Sequence, residues 1–430
     1  VEYCFDNMSK LPVTYLNQQR LPTDSYTKMD TYRQIRLPIE KASTLIPDAY
    51  TSDNFFALEQ EKIFLNSWVA VGCLPKVRNQ GDILVTEVAG RSILVVRGKK
   101  NKLMAFYNVC RHRGSKLISE SCNVKRIRCP YHAWVYGLDG ECQGTPMFQN
   151  VKNLDNETVK SYADHFDKKN YGLYPVSVRS WGFLIFVNLN MGTSNGISEE
   201  EITAGFKEWI GDLPQKFQSH VLEKWLISNE KNYDVASNYK LIEENFMEYY
   251  HLPFVHPELS NVSRVEDHHR CQGKGMYTGM LTTPVSRDVD SVWLNLPTAQ
   301  GLDKQHLKVA YHICIFPNVT ITILPNHAFC MITDPIRANL TKERTFILTP
   351  PGTLANNSHI KMFLELVKFW DIINTQDLGI VERVQEGLSN TAFTGGPMSL
   401  KFEEPLHRYQ NWVADRMCGI HRIPEGDIDV

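Results

Sequence analysis

Two short stretches pair a thiol with an imidazole. "CRHRG" sets Cys110 one residue from His112, and "CPYHAW" sets Cys129 two residues from His132. Four such donors in two loops make a metal-ligand set. A structural zinc site is the plain reading, but zinc sites commonly keep two cysteines together in one knuckle. Here each loop gives one Cys and one His. That pattern suits a two-iron, two-sulfide cluster, with Cys110 and Cys129 on one iron and His112 and His132 on the other. Neutral imidazoles in place of two thiolates lower the negative charge and raise the potential, so the centre can take an electron from a reductase and pass it on. Cys122 and Cys142 lie nearby but fit neither loop, and are read as bystanders.

A second set lies further along, in "LIEENFMEYYHLPFVHPEL" (241–259). If 238–251 is helical, Glu248 and His251 are neighbours three apart on one face. Pro253 and Pro257 break the helix and let His256 turn back towards His251. Two histidines and one carboxylate form the facial triad that leaves open positions on non-haem iron(II). Asp377, in "NTQDLGIVERVQEGL", is the best third ligand, because Leu378, Val381 and Val384 are expected to face the core beside it and a buried acid needs a partner. Asp371 is the runner-up, and a solvated surface Asp377 is the plain alternative. His268 and His269 cannot both point at one ion and are read as polar or surface residues.

These residues need two different scaffolds. Residues 1–45 are polar, with scattered Pro and Thr, and read as an N-terminal arm or poorly packed entry segment. A short helix is expected within 51–68, capped by Ser52 or Asp53. From Trp68 to about Val187, β-rich runs such as "RSILVVRG" alternate with Gly, Lys and Asn turns, as in a small antiparallel barrel or sandwich with the Cys–His loops at its rim. Beyond 190, helical patterns at 199–217, 238–251, 359–388 and 403–418 surround strands over 274–350. The class is therefore α+β: a small all-β domain over 46–187, then a larger domain over 188–430 with helices packed on one antiparallel sheet.

The totals narrow the partners. A net charge of −2 over 430 residues argues against nucleic acid, and no apolar run reaches the ~20 residues that span a bilayer. Ten scattered cysteines fit a reducing interior better than a disulfide framework. "VEYCFDNMSK" lacks a basic segment followed by an apolar one, so the expected location is the cytoplasm, or an organelle stroma or matrix if a leader has been removed.

With both ligand sets in view, the chain resembles the catalytic α subunits of the Rieske non-haem iron oxygenases. The likeness runs from "FALEQEKIFLNSWVAVGCLPKV" through both Cys–His loops and "ENFMEYYHLPFVH" to "QDLGIVERVQEGL". It implies that Cys110, His112, Cys129 and His132 hold a [2Fe–2S] Rieske cluster, and that His251, His256 and Asp377 hold a mononuclear Fe(II) that uses O2. It also implies a homotrimer, in which Glu248 bridges to His132 of the neighbouring subunit. Electrons are expected to come from NAD(P)H through a separate flavin/iron–sulfur reductase or ferredoxin. Glu rather than Asp at position 248, with "DLGIVERVQ", is more similar to the branch acting on quaternary ammonium compounds, which includes choline monooxygenase, glycine betaine demethylase and carnitine monooxygenase.

The expected reaction is therefore oxygenation of a small quaternary ammonium or N-methyl compound. Aromatic faces attract such cations, and Phe246, Tyr249, Tyr250, Tyr277, Trp293 and Phe316 lie in the right half of the chain. The alternative substrate is an aromatic or apolar natural product. A third reading, a pure electron-transfer protein, leaves the histidines of the second half uninvolved.

Overall fold

In the computed structural model, residues 21–148, 166–192, 195–260, 263–283 and 295–426 are described. Trp293 lies outside them. The strands are β1 (Val69–Cys73), β2 (Asp82–Val88), β3 (Arg91–Arg97), β4 (Leu103–Tyr107), β5 (Cys122–Asn123), β6 (Ile127–Arg128), β7 (Val135–Tyr136), β8 (Cys142–Gly144), β9 (Pro175–Trp181) and β10 (Leu184–Asn188) in the first half. β11 (Leu226–Val235), β12 (His268–Arg270), β13 (Tyr277–Thr282), β14 (Ala310–Ile315), β15 (Val319–Ile323), β16 (Ala328–Arg337) and β17 (Leu340–Thr349) follow. The helices are α1 (Asp48–Thr51), α2 (Asp53–Glu59), α3 (Glu199–Ile210), α4 (Leu213–Lys216), α5 (Tyr239–Met247), α6 (Leu252–Val255), α7 (Pro257–Ser260), α8 (Asn357–Leu388) and α9 (Glu404–Met417).

The first half is all-β. Seven antiparallel strands run in the order β1-β10-β9-β4-β3-β2-β5, and a small sheet β6-β7-β8 sits beside them. β3 shows why: Ile93, Leu94, Val95 and Val96 are β-branched or apolar and fully buried, as a strand covered on both faces requires. The second half is one antiparallel sheet, β11-β17-β16-β15-β14-β13-β12. Helix α5 packs across β13–β16, and α8 lies along α5 and β11. The α+β class expected from the sequence is therefore what is found.

Strong junctions join the halves. The Asn318 side chain both accepts from the Ala70 N–H and donates to the Ala70 carbonyl, each at 3.0 Å. Arg344 forms a two-bond pair with Asp334 and donates to the Val71 carbonyl.

Three local expectations need correction. Residues 23–45 are not a loose entry segment: Tyr26, Tyr32 and Ile35 are buried in the main core, and Arg36 pairs with the buried Asp415 at 2.7 Å. Helix α5 stops at Met247, because Glu248 is extended (φ −112, ψ 156), so Glu248 and His251 do not share a helix face. Val384 is exposed, whereas Val381 is buried and Leu378 packs on the core. The long helix turns Val384 past the edge of its covered stripe.

Candidate metal centres and their cavity

The two Cys–His loops fold alike. Cys110 N–H donates to the Ser115 carbonyl and Cys129 N–H to the Trp134 carbonyl, both at 2.8 Å and both reaching five residues ahead. In each loop the residue four after the cysteine donates back to the cysteine carbonyl: Gly114 at 3.0 Å and Ala133 at 3.1 Å. Both take positive φ, 72 and 58, which glycine adopts freely and alanine only at a cost. Two matched turns thus face each other, the first between β4 and β5 and the second between β6 and β7.

The donors fall into two pairs. The sulfurs are buried, and the Tyr136 hydroxyl lies 3.2 Å from Cys110 Sγ. Burial pushes the Cys129 thiol up, but backbone N–H groups of Tyr131 and His132 outweigh it and hold the thiol below its ordinary value. The imidazoles are half-exposed and face each other, Nδ1 to Nδ1 at 3.1 Å. His112 stacks on the buried Trp134, with centroids 5.0 Å apart and planes at 7°. Among the described residues, these four donors do not form a convergent group of the kind that His251, His256 and Asp377 form. A single tetrahedral zinc needs such convergence; two bridged irons need two pairs. The donor set therefore fits a two-iron cluster.

The second centre is built by prolines and a long helix. Pro253 lies in the first turn of the short helix α6, where its missing N–H costs no helical bond. Pro257 disfavours helical backbone at the residue before it, and His256 leaves the helix at φ −125, ψ 67. His251 and His256 thus stand at the two ends of one turn, with rings 5.2 Å apart. Asp377 arrives from α8, its Oδ1 lying 2.8 Å from His256 Nε2 and 3.5 Å from His251 Nε2. Donor atoms of the three lie within 4.8 Å of one another, close enough to meet one ion.

Neighbours fix which nitrogen faces that point. His256 Nδ1 is 2.7 Å from Gln376 Oε1, and His251 Nδ1 is held by Glu248 Oε1. Both Nδ1 positions being taken, both Nε2 atoms turn inward, as metal-ligating histidines require. Glu248 also accepts from the Tyr250 and His251 backbone N–H groups, so a tight turn does what a shared helix face was expected to do. Burial disfavours a charged His251, yet the Glu248 and Asp377 carboxylates outweigh it and raise its pKa. Two carboxylates beside two inward nitrogens make a place for a cation. Asp371 is elsewhere: half-exposed, it binds Lys231 and Tyr233.

Beside the triad lies a cavity of about 70 Å³, walled by α5, α6, α8 and the face of β13–β16. Phe246, Met280, Phe329, Met331 and Trp370 supply apolar surface, and Asn374, His268 and His312 supply polar edges. Phe329 and Trp370 stack at 4.5 Å with planes 2° apart. Of the aromatic residues considered from the sequence, Phe246 lines the cavity. Tyr277 and Phe316 are core residues, Tyr249 is buried behind His268, and Tyr250 is exposed.

His268 corrects the expectation of a surface residue. It is buried and stacked on Tyr249, with its neighbour His269 turned to solvent. Strand alternation alone sends one of two adjacent residues inward, and that signal was available. For Gln376 and Asn374 no spacing in the sequence points to the site.

Residues 67–162 match the Rieske [2Fe-2S] domain, and residues 222–419 match the catalytic domain of the ring hydroxylating alpha subunit. The glycine betaine monooxygenase oxygenase subunit of Pseudomonas aeruginosa is 25% identical over 404 residues, covering 86% of this chain and 87% of that protein. The carnitine monooxygenase oxygenase subunit of Escherichia coli is 27% identical over 361 residues, covering 83% and 87%. The crystal structure of the quaternary ammonium Rieske monooxygenase CntA shares the fold at a TM-score of 0.71 and 23% identity, over 93% of this chain and 99% of that one. A protein that only carried electrons would have no use for the second domain. Both domain families occur here in one chain, each enclosing a fitting donor set, and the chain belongs to the Rieske oxygenases as a catalytic α subunit with a [2Fe–2S] cluster and a non-haem iron.

Proposed function

We propose that Cys110 and Cys129 hold one cluster iron, His112 and His132 the other, and that His251, His256 and Asp377 hold the mononuclear iron. When bound, the cluster supplies single electrons and the mononuclear iron activates dioxygen. Gln376 and Glu248 keep both imidazoles in the ligating tautomer. Glu248 is also the link to His132 of a neighbouring copy in a homotrimer. What supports this is the half-exposed His112–His132 edge, with Tyr131 exposed beside it, and Tyr250 and Phe254 exposed outside the triad. These are two apolar-rimmed faces able to meet between copies. A separate reductase or ferredoxin supplies the electrons from NAD(P)H. The nine described cysteines are all unpaired, which suits a reducing compartment such as the cytoplasm or an organelle stroma.

The substrate is a small quaternary ammonium or N-methyl compound, oxygenated on a carbon next to nitrogen or on an alcohol carbon. One observation carries this reading. The cavity presents Phe246 and the Phe329–Trp370 pair, and none of its described lining residues is Lys or Arg. Burial, with the neighbouring His268 adding to it, lowers His312 to about 3, so that imidazole is neutral and repels no cation. Aromatic faces then favour an alkylammonium group, and the two relatives act on glycine betaine and carnitine. The apolar surface of Met280, Met331 and Ile373 favours a second reading, a neutral aromatic or apolar substrate.

The test is oxygen uptake coupled to product across choline, glycine betaine, carnitine, 3,3-dimethylbutanol and naphthalene, with a reductase present. Product from a quaternary ammonium compound and none from its neutral isostere supports the first reading. Product only from the neutral compounds overturns it.

A further inference from the structure

The catalytic half contains a buried carboxyl that no step above uses. Glu343, in the middle of β17, is fully buried. Its Oε1 accepts from Asn374 Nδ2 at 2.6 Å, and its Oε2 has no protein partner. Asn374 is on the cavity wall, one helical turn before Asp377. Across the sheet, Glu343 pairs in register with Tyr233 of β11, whose hydroxyl donates to Asp371 Oδ1 at 2.5 Å and also faces the Asn374 amide. Asp371 reaches solvent, where it meets Lys231. A polar chain thus runs from the surface through Asp371 and Tyr233 to Asn374 on the cavity wall, with Glu343 behind that amide and across the sheet from Tyr233.

Oxygenation consumes protons in an otherwise apolar place. For substrate RH the balance is RH + O2 + 2e⁻ + 2H⁺ → ROH + H2O, with the electrons supplied by the reductase. We infer that Glu343 is a positioning and proton-holding residue for this reaction: it orients Asn374, releases a proton towards the cavity, and is recharged from solvent along Asp371 and Tyr233. The inference rests on the oxygenase reading but not on which substrate is correct. Each release leaves a carboxylate, and each recharge restores the acid, so Glu343 returns unchanged. A buried carboxyl left with a bare oxygen has little other structural use, since an unpartnered polar atom inside a protein is costly.

The surroundings suit a group that exchanges protons near neutrality. Burial raises the Glu343 pKa to about 7, with Asp377 of α8 adding to the rise. Glu243 of α5, itself buried, faces the same space, and Tyr233 is the titratable group on the β11 side.

The test uses the holoenzyme, with iron content and the reduced-cluster spectrum as controls. Infrared difference spectra from pH 5 to 9 should show protonated-carboxyl absorbance titrating near neutrality, and Glu343→Gln should lose one carboxyl's share of it while the shares of Glu243 and Glu244 remain. The same variant keeps the acceptor for Asn374, yet should lose at least about tenfold in product per O2 and release hydrogen peroxide instead. Its activity should no longer fall through neutral pH. Tyr233→Phe should give normal product in a single turnover and lowered rates only in repeated turnover, because the carboxyl is charged once but refilled slowly. A Glu343→Gln enzyme with the parent's band, coupling and pH profile would overturn the inference. So would a parent enzyme without the titrating band, whatever its substrate. If the band behaves as expected but every substrate in the panel fails, the substrate reading is at fault and not Glu343.

Discussion

The two metal centres solve opposite problems with opposite means. The cluster loops draw all four donors from one stretch, 110–132, and shape them with backbone turns, leaving the histidine edge half-exposed. The proposed iron centre joins residues 126 positions apart, from 251 to 377, and shapes them with helix ends, a carboxylate and an amide. Buried charge follows the same division. Glu243, Glu244, Glu343, Asp415 and Lys240 are buried in the second half, whereas the buried carboxylate among the described residues before 188 is Glu59, and it is paired with Lys240 of the second half. A centre that trades electrons with a partner needs an edge. A centre that handles oxygen and protons needs enclosure, and the acids that come with it.

If the centres are built independently, they should come apart independently. His256→Ala should remove only the mononuclear iron, taking the chain from about three irons to about two, with turnover below detection and the reduced-cluster spectrum intact. Cys129→Ser should do the reverse, leaving about one iron and no cluster spectrum. Metal and acid-labile sulfide quantification decides this. If either variant empties both centres, the division drawn above fails.

A smaller effect is expected at the link. Glu248→Gln should slow turnover by about 10²-fold while the cluster still reduces at the parent rate, since Glu248 holds the His251 ring and removing such a partner typically costs 10–100-fold. Gln376→Leu should weaken iron retention by a comparable factor without touching electron entry. Stopped-flow reduction of the cluster against steady-state product formation separates the two. Parent turnover in Glu248→Gln would remove the link.

These two centres were not equally legible. The cluster set was readable because ligand types and loop spacing carry it, and local backbone turns then do the rest. The convergence of His251 and His256 with Asp377 was readable from the prolines that announce the break and from the apolar Leu378 and Val381 beside the acid. What could not be read is what three-dimensional packing alone brings in: Gln376 and Asn374 on α8, and His312 from β14. Glu248 shows a subtler failure, because the expected contact forms through a turn rather than a helix face. The α+β class was readable from strand alternation, turn residues and helical periodicity; the folded path of 23–45 was not, because its polar composition hides buried anchors such as Tyr26, Tyr32 and Ile35.

The buried acids predict a pH signature confined to the second half. Burial raises Glu243 to about 8 and Glu244 to about 7, against 4.5 for an unburied glutamate. The folded chain therefore holds more protons than the unfolded one, so this stability is full below about 4.5 and is lost as pH rises through 7 to 8. His312 and His327, lowered to about 3 by burial, act oppositely: their share is full above 6.5 and is lost as pH falls towards 3. Between pH 6.5 and 8 the acids alone of these groups slope, and the melting temperature should fall. Glu243→Gln should flatten that slope by calorimetry, while unfolding of the cluster half should stay level. An unchanged slope would mean that the acids are not what distinguishes the halves.

The smallest effect concerns how α8 presents Asp377. Along this 32-residue helix, Val381 is one turn beyond Asp377 and buried, while Val384 is a further three residues on and 42% exposed. Three residues turn a helix by about 300°, so Val384 lies at the margin of the stripe and small shifts in phase decide its burial. Val381→Ala should therefore cost about 2 kcal/mol, from lost burial and the space left behind. Val384→Ala should change stability by less than about 0.5 kcal/mol, and in the favourable direction if helix propensity decides. Denaturant melts of the two variants measure the difference. Equal costs would place both valines in the core and rotate the face of α8 that carries Asp377. The expected inequality fixes that face: Asp377 stands between a covered stripe and a solvated one, where a carboxylate can be half-buried and still meet two imidazoles.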